Sequence, residues 1–221
     1  EINNPLTGVL TYSSFQLSRA EPDSELHTDL EVIVRETKRC REIVKNLLDF
    51  ARQSIPEKHL VHLNHIILRA ANIVQHQLSI QKARFELSLE EELPLVFADA
   101  NQLEQVLVNL FVNAGDAMND SGGTITVQSK LSKEHCENDH EAACVEILVK
   151  DTGCGIPAGH LDKIFDPFFS TKGTKGTGLG LPIVWGIVEE HEGRVSVDTE
   201  EGVGTTFRIL LPVSQESQRE A

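Results

Sequence analysis

Steps of four and three residues run without a break from Leu26 through Leu30, Ile33, Thr37, Cys40, Val44 and Leu47 to Ala51. Only a long helix places these apolar or small positions on one stripe, so this rhythm constrains the first quarter of the chain more than any other feature. Upstream, Leu6, Leu10, Ser13 and Leu17 repeat it more weakly. "AEPDSE" (Ala20 to Glu25) interrupts it with a proline and turn-forming Asp and Ser. Two helices joined by a tight turn make an antiparallel hairpin. A hairpin buries little alone, so the stripe is expected to pack against a second copy as a four-helix bundle. A monomeric hairpin folded against the rest of the chain is the alternative.

"SIPEKH" (Ser54 to His59) ends the periodicity with a proline and marks a domain boundary. Residues 1–54 are therefore read as the hairpin, 60–213 as a second domain and 214–221 as a tail. In the second domain, residues about 64–79 and 100–118 carry helical patterns, and "RFELSL" and "LVFAD" read as strands. "TITVQSKL", "CVEILVKD", "GRVSVD" and "TTFRILL" alternate apolar and polar residues, as suits a sheet with one covered face. Helices grouped on one side of such a sheet give an α/β sandwich, and the whole chain an α+β class.

Composition narrows the partners. The 221 residues carry a formal net charge of −14, the reverse of what neutralising a phosphate backbone requires, so DNA and RNA are excluded as expected ligands. The four cysteines, Cys40, Cys136, Cys144 and Cys154, contain no CxxC pair and do not read as a disulfide framework, which fits a cytoplasmic setting. No apolar run approaches the roughly 20 residues of a membrane span, so membrane attachment is expected only through segments outside this sequence.

Four stretches carry chemistry. In "QVLVNLFVNAGDAM", Asn109 and Asn113 are four apart and share a helix face, while Leu103, Val106, Leu107, Leu110 and Ala114 line the packing face. The two asparagines read either as solvated surface residues or as Mg²⁺ ligands through their carboxamide oxygens. "DTGCGIP" puts Asp151 at a strand end before Gly153, Gly155 and Ile156. That is a carboxylate acceptor beside a backbone able to approach a flat ligand, or else a common turn. In "STKGTKGTGLGLPIV", Lys172, Thr174, Lys175, Gly176, Thr177, Gly178, Leu179, Gly180 and Leu181 lead into an apolar helix starting near Leu179. Free N–H groups and the helix dipole make an anion site there, or the glycines form a linker. Between these stretches, Phe165, Phe168 and Phe169 read as lid anchors or as core. "EGVGTTF" brings Thr205 towards the same place, or is an ordinary hairpin.

Taken in order, Asn109/Asn113, Asp151-x-Gly153-x-Gly155, Phe165–Phe169, Gly176-x-Gly178-x-Gly180 and Gly202-x-Gly204 resemble the N, G and F boxes of sensor histidine kinases. The resemblance covers residues 1 to about 212, and the wording "NAGDAM" and "STKGTKGTGLGLPIV" is similar to the nitrogen-sensor type. It implies a dimerising phosphoacceptor hairpin followed by an ATP-binding domain of the Bergerat type. It implies ATP and Mg²⁺ as cofactors, a homodimer through the hairpin, and a response regulator receiver domain as partner. In that family the phosphorylated histidine directly precedes a Glu, in a stretch like His-Glu-x-x-Asn-Pro-Leu. Glu1 to Leu6 matches from the second position, so the acceptor is expected immediately before Glu1.

The same resemblance implies Glu1 as the base for phosphoryl transfer and Asn4 as the residue positioning water for dephosphorylation of the regulator. Asn113, with Asn109, holds Mg²⁺, Asp151 reads adenine, and about 157–176 form a lid. Many relatives are basic at position 116, where this chain has Asp116, so more of the phosphate contact is expected to fall on Lys172 and Lys175. Two other readings stand beside this one: a gyrase-like or chaperone-type ATPase, and a non-catalytic ATP-binding scaffold. The first needs a Glu where Asn109 stands, and a carboxamide takes no proton from water at neutral pH. Metal binding by His59/His62/His65, or by His135, Cys136, His140 and Cys144, ranks below solvated loop residues, for want of paired zinc-ligand spacing. His191 reads as structural.

Overall fold

The structure, a computed structural model, describes residues 1–51, 56–118, 122–132, 143–173 and 176–214. Its contacts divide the chain into two compact units, Glu1–Ser54 and Ile55–Ala221.

The first unit is a helical hairpin of α1 (Asn3–Leu17) and α2 (Glu25–Ala51). Asp23 turns the chain with φ of 66°, and the Ser24 hydroxyl accepts the His27 N–H at 3.1 Å, occupying one of the donors that a helix start leaves unpaired. Ser13 of α1 and Leu30, Val34 and Thr37 of α2 are buried. The stripe read from the sequence divides here. Leu30 and Thr37 face inward with Val34, whereas Leu26, Ile33 and Leu47 stay exposed, as do Val9, Tyr12 and Phe15 of α1. The neighbouring helix covers the line through Leu30, Val34 and Thr37, so the rest of the stripe is left without cover in a single chain.

The second unit is a sandwich of one five-stranded sheet and three helices. β2 (Ala83–Leu89), β4 (Gly123–Ser132), β5 (Cys144–Asp151), β7 (Gly204–Pro212) and β6 (Arg194–Glu200) lie in that order. Only β2 and β4 pair in parallel. A parallel pair needs a long crossover, which α4 (Ala100–Met118) supplies. α3 (Leu63–Ile80), α4 and α5 (Gly180–Glu190) form the helical layer, α4 touching both neighbours. Its Leu107, Leu110 and Phe111 sink into the core against Ile125 and Val127 of β4 and Val145 and Val149 of β5. The Phe111 ring meets Phe85 edge-on at 5.0 Å.

Three features depart from the sequence reading. A short strand, β1 (His59–Val61), pairs antiparallel with β3 (Val96–Ala98); three residues are too few to show a period. Glu146 in central strand β5 is 2% exposed, with Lys130 Nζ at 2.8 Å and Arg208 Nε at 2.9 Å from its carboxylate. Contrary to the reading of the four cysteines, Cys144 is disulfide-bonded, while Cys40 and Cys154 are free thiols. Among the described residues no helix is long and apolar enough to cross a membrane.

One polar cluster around the buried His191 ties the helical layer together. Asp99 accepts the N–H groups of Asn101 (2.9 Å), Gln102 (3.2 Å) and Glu57 (3.0 Å), and so caps the start of α4. Its own N–H donates to His191 Nε2 at 3.0 Å, and His191 Nδ1 lies 2.8 Å from the Ile187 carbonyl. Those two bonds require a neutral ring protonated on Nδ1. Burial lowers the His191 pKa from its ordinary 6.5, assisted by Lys58 and opposed by the Ile187 carbonyl, Glu190 and Asp99. The unfolded chain therefore binds this proton more readily, and stability falls as pH drops below about 6.5. His191→Gln should flatten the fall in unfolding free energy between pH 7.5 and 5.5, by at most about 1.4 kcal/mol per pH unit. Denaturant titrations at several pH values read this out, and parallel curves for the two proteins would refute it.

Candidate functional site

Asp151 ends central strand β5 and is almost fully buried. Its Oδ1 accepts the Gly153 N–H at 2.8 Å and the Thr205 N–H at 3.3 Å. Desolvation by burial raises its pKa above the ordinary 3.8, and the two backbone donors offset part of that rise. The turn beyond is tight. Gly155 has φ of 71°, and a Cβ there would overlap the Glu200 carbonyl oxygen, so only glycine fits. A Cβ on Gly153 would stand 2.7 Å from the Ala117 Cβ, and the Cys154 N–H donates to the Ala117 carbonyl at 3.0 Å. The loop is thereby seated on the last turns of α4.

Thr199, which the sequence reading does not single out, joins the two hairpin ends. Its Oγ1 accepts the Ile156 N–H at 2.9 Å, lies 3.0 Å from the Gly204 carbonyl oxygen, and is 3.1 Å from the Thr205 hydroxyl. A threonine in an alternating strand carries no signal of this role.

The other half of the site is where α5 begins. A Cβ on Gly180 would lie 3.6 Å from Asn113 Nδ2 and 3.9 Å from Asn109 Oδ1, and Asn109 Nδ2 is 3.5 Å from the Gly180 carbonyl oxygen. Both asparagines thus face the N-terminus of α5, whose first N–H groups have no intrahelical partners. Leu179 is buried, and Leu181 packs at the edge of the core. The segment before α5 is clipped to the phenylalanine loop. The Phe168 N–H donates to the Gly178 carbonyl at 2.9 Å, and a Cβ on Gly178 (φ of 66°) would overlap the Phe168 backbone.

The three phenylalanines differ in burial. Phe165 packs on Trp185 at 5.0 Å and Phe169 on His160 at 5.4 Å, both bordering the core, while Phe168 is 64% exposed. Gly176 lies against Ser170, and Thr177 is half-buried. Thr174 and Lys175 lie outside the described residues.

Lys172 connects this segment to α4. Its Nζ lies 2.9 Å from Asn113 Oδ1 and 2.7 Å from Asp116 Oδ2. Two oxygen donors converging on a cation are the donor type a hard ion such as Mg²⁺ takes, and a lysine ammonium stands there, so the residues fit that ion. Asn109, Asn113, Asp116 and Ala117 thus form one stripe on α4 that meets both glycine-rich loops. Glu1 and Asn4 belong to the other unit, exposed at the start of α1. Among the described residues no group of three or more His, Cys, Asp or Glu is arranged to hold a metal; His135, Cys136 and His140 lie outside those residues.

Residues 98–215 match the family described as histidine kinase-, DNA gyrase B-, and HSP90-like ATPase, and residues 1–54 match the His Kinase A (phospho-acceptor) domain. The chain belongs to the sensor histidine kinases. Sensor histidine kinase ZraS of Escherichia coli is 35% identical over 214 residues, 97% of this chain and 44% of that protein. Sensor kinase CckA of Brucella abortus is 37% identical over 226 residues, 99% of this chain and 24% of that one. The solved catalytic domain of histidine kinase ThkA superposes with a TM-score of 0.61 at 30% identity, covering 73% of this chain and 99% of that one. This kinase chain spans less than half the length of the two curated relatives.

The raised pKa of Asp151 has a consequence for stability. Ionised Asp151 opposes folding above its folded pKa, and that penalty fades as the carboxyl is protonated in acid. Asp151→Asn keeps a carbonyl oxygen for the two N–H donors and removes the buried charge. Thermal melts should show the variant at least as stable as the parent at pH 7, with any advantage shrinking towards pH 4. A loss of several degrees at pH 7 would contradict this reading.

Proposed function

We propose that this chain is the catalytic core of a histidine kinase that binds Mg-ATP between α4 and α5 and passes the γ-phosphoryl group to a histidine preceding Glu1, then to an aspartate of a response regulator. The observation that carries the reading is the α4 stripe: Asn109 and Asn113 face the start of α5 while Lys172 sits on Asn113. Phosphoryl transfer asks mainly for positioning and charge neutralisation, which this arrangement supplies.

Asp151 accepts from the exocyclic amino group of adenine, and Gly153, Gly155 and Ile156 let the base approach. Thr205 fixes Asp151 through its N–H. The amides of Gly176, Thr177, Gly178, Leu179 and Gly180, the first turn through Leu181, and Lys172 with Thr174 and Lys175 meet the phosphates. Phe168 covers the nucleotide. Asn113, helped by Asn109, holds Mg²⁺, which supplies charge neutralisation on the phosphates. In the transfer the bond from the γ-phosphorus to the bridging oxygen breaks, a P–N bond to imidazole forms, ADP leaves, and the imidazole proton passes to Glu1. Asn4 positions water for removing the phosphoryl group from the regulator.

Asn109 weighs against a gyrase-like hydrolase, since a carboxamide accepts no proton from water. The exposed Leu26, Ile33 and Leu47 support a homodimer through the hairpin. We place the core in the cytoplasm, where ATP and receiver domains meet.

Asn113→Ala should weaken Mg-dependent ADP binding about tenfold or more, with little change in melting temperature. Calorimetric titration that finds unchanged affinity would remove Asn113 from its role. Incubated with labelled ATP, a chain extended upstream of Glu1 should acquire acid-labile, alkali-stable phosphate on the preceding histidine. Label on residues 1–221 alone would contradict the assignment. Ile33→Asp should shift the sedimenting species from dimer to monomer, and an unshifted dimer would place the interface elsewhere.

A further inference from the structure

Position 116 adds to the proposed function in two ways. The first is how firmly Asp116 is aimed. Gln81, just after α3, donates from Nε2 to Asp116 Oδ1 at 3.4 Å. Gln81 comes this close because residue 115 is glycine: a Cβ there would stand 2.6 Å from Gln81 Oε1 and overlap Leu78. One carboxylate oxygen is therefore occupied from behind, and Oδ2 is left facing Lys172 at 2.7 Å. The second is the shared cation. Asn113 Oδ1 and Asp116 Oδ2, one helical turn apart on α4, both lie within 3 Å of the same Nζ.

An ammonium and a divalent ion cannot share that point, because at contact distances their repulsion exceeds anything two oxygens return. The pair is also easily exchanged, since Lys172 and Asp116 side chains are 33% and 35% exposed and such bridges are weak. We propose that Lys172 is a built-in counter-cation of the metal site, and that Asp116 is a further ligand of that metal beside Asn113. In the nucleotide-free protein Lys172 neutralises Asp116 and excludes divalent ions. When a nucleotide arrives, its phosphates draw the ammonium away, and the two oxygens pass to the ion that comes with it. Free metal is thus refused and the metal–nucleotide complex accepted. The inference rests on the reading of Asn113 as a metal ligand, and it adds a reason for an acidic residue at a position where phosphate contact would favour a base.

The test uses no nucleotide and no activity. Mn²⁺ is titrated into the 221-residue chain, and the decrease in the free Mn²⁺ electron paramagnetic resonance signal reports binding. Lys172→Met, or Lys172→Gln should the first fold poorly, is expected to lower the half-saturating Mn²⁺ concentration about tenfold or more, because a repelling charge has left the site. Adding Asp116→Asn to the same chain should abolish that gain. Unchanged Mn²⁺ binding in Lys172→Met would overturn the proposal, and so would a gain that survives Asp116→Asn. The underlying reading fails separately: it falls if Asn113→Ala retains Mg-dependent ADP affinity. Loss of that affinity alongside an inert Lys172→Met would reject the counter-cation alone.

Discussion

Helix α4 has to satisfy two demands on one cylinder, and the rest of the second unit is arranged around that. Its inward face, with Leu103, Leu107, Leu110 and Phe111 nearly inaccessible to water, anchors it at the centre of the helical layer. Its remaining side carries Asn109, Asn113 and Asp116, residue types that gain little from being in a helix interior. The helix tolerates them because the buried face supplies the stability that propensity does not. Small residues do the complementary work: Gly180 lets α5 start close to the asparagines, and Ala117 forms the seat for the Gly153 loop. A register slip of one residue in α4 would turn about 100° of helix and separate these contacts together.

The Asp151 end of the site illustrates how order is maintained without a ligand. A buried carboxylate with two backbone donors on one oxygen is rigid but incompletely satisfied, since an ionised carboxyl group accepts about four hydrogen bonds. Thr199 keeps the surrounding loops in place by linking Ile156, Gly204 and Thr205, so the unfilled acceptor capacity is held at a fixed position. Preorganisation of this kind trades folding stability for recognition, because the desolvation of Asp151 is incurred on folding and offset only when a donor arrives.

Much of this architecture was legible from residue order, and what was not has physical causes. The helices at about 64–79 and 100–118 and the strands from "RFELSL" to "TTFRILL" emerge within a residue or two, because each is long enough to show its period. β1 was invisible, as three residues spanning His59 to Val61 show no period and gain their pairing from β3 far along the chain. The exposure of Ile33 within an otherwise regular stripe could not be read, because periodicity finds a face but not how many neighbours cover it. Glycines of the two loops announced themselves by spacing. Thr199 and Gln81 did not, since each works through side-chain hydrogen bonds that reach a partner distant in sequence.

A chain with a net charge of −14 is an unpromising host for a polyphosphate, and the site is consistent with that only because attraction is local. Amides at the start of α5 and Lys172 act within a few ångströms, where screening is slight, whereas the surrounding negative field extends over a Debye length of about 8 Å at physiological salt. Such a field disfavours stray anions and favours those arriving with a divalent ion already bound. The group at position 109 is neutral. A carboxylate there would add negative charge beside the phosphates and serve water as a base. A carboxamide does neither.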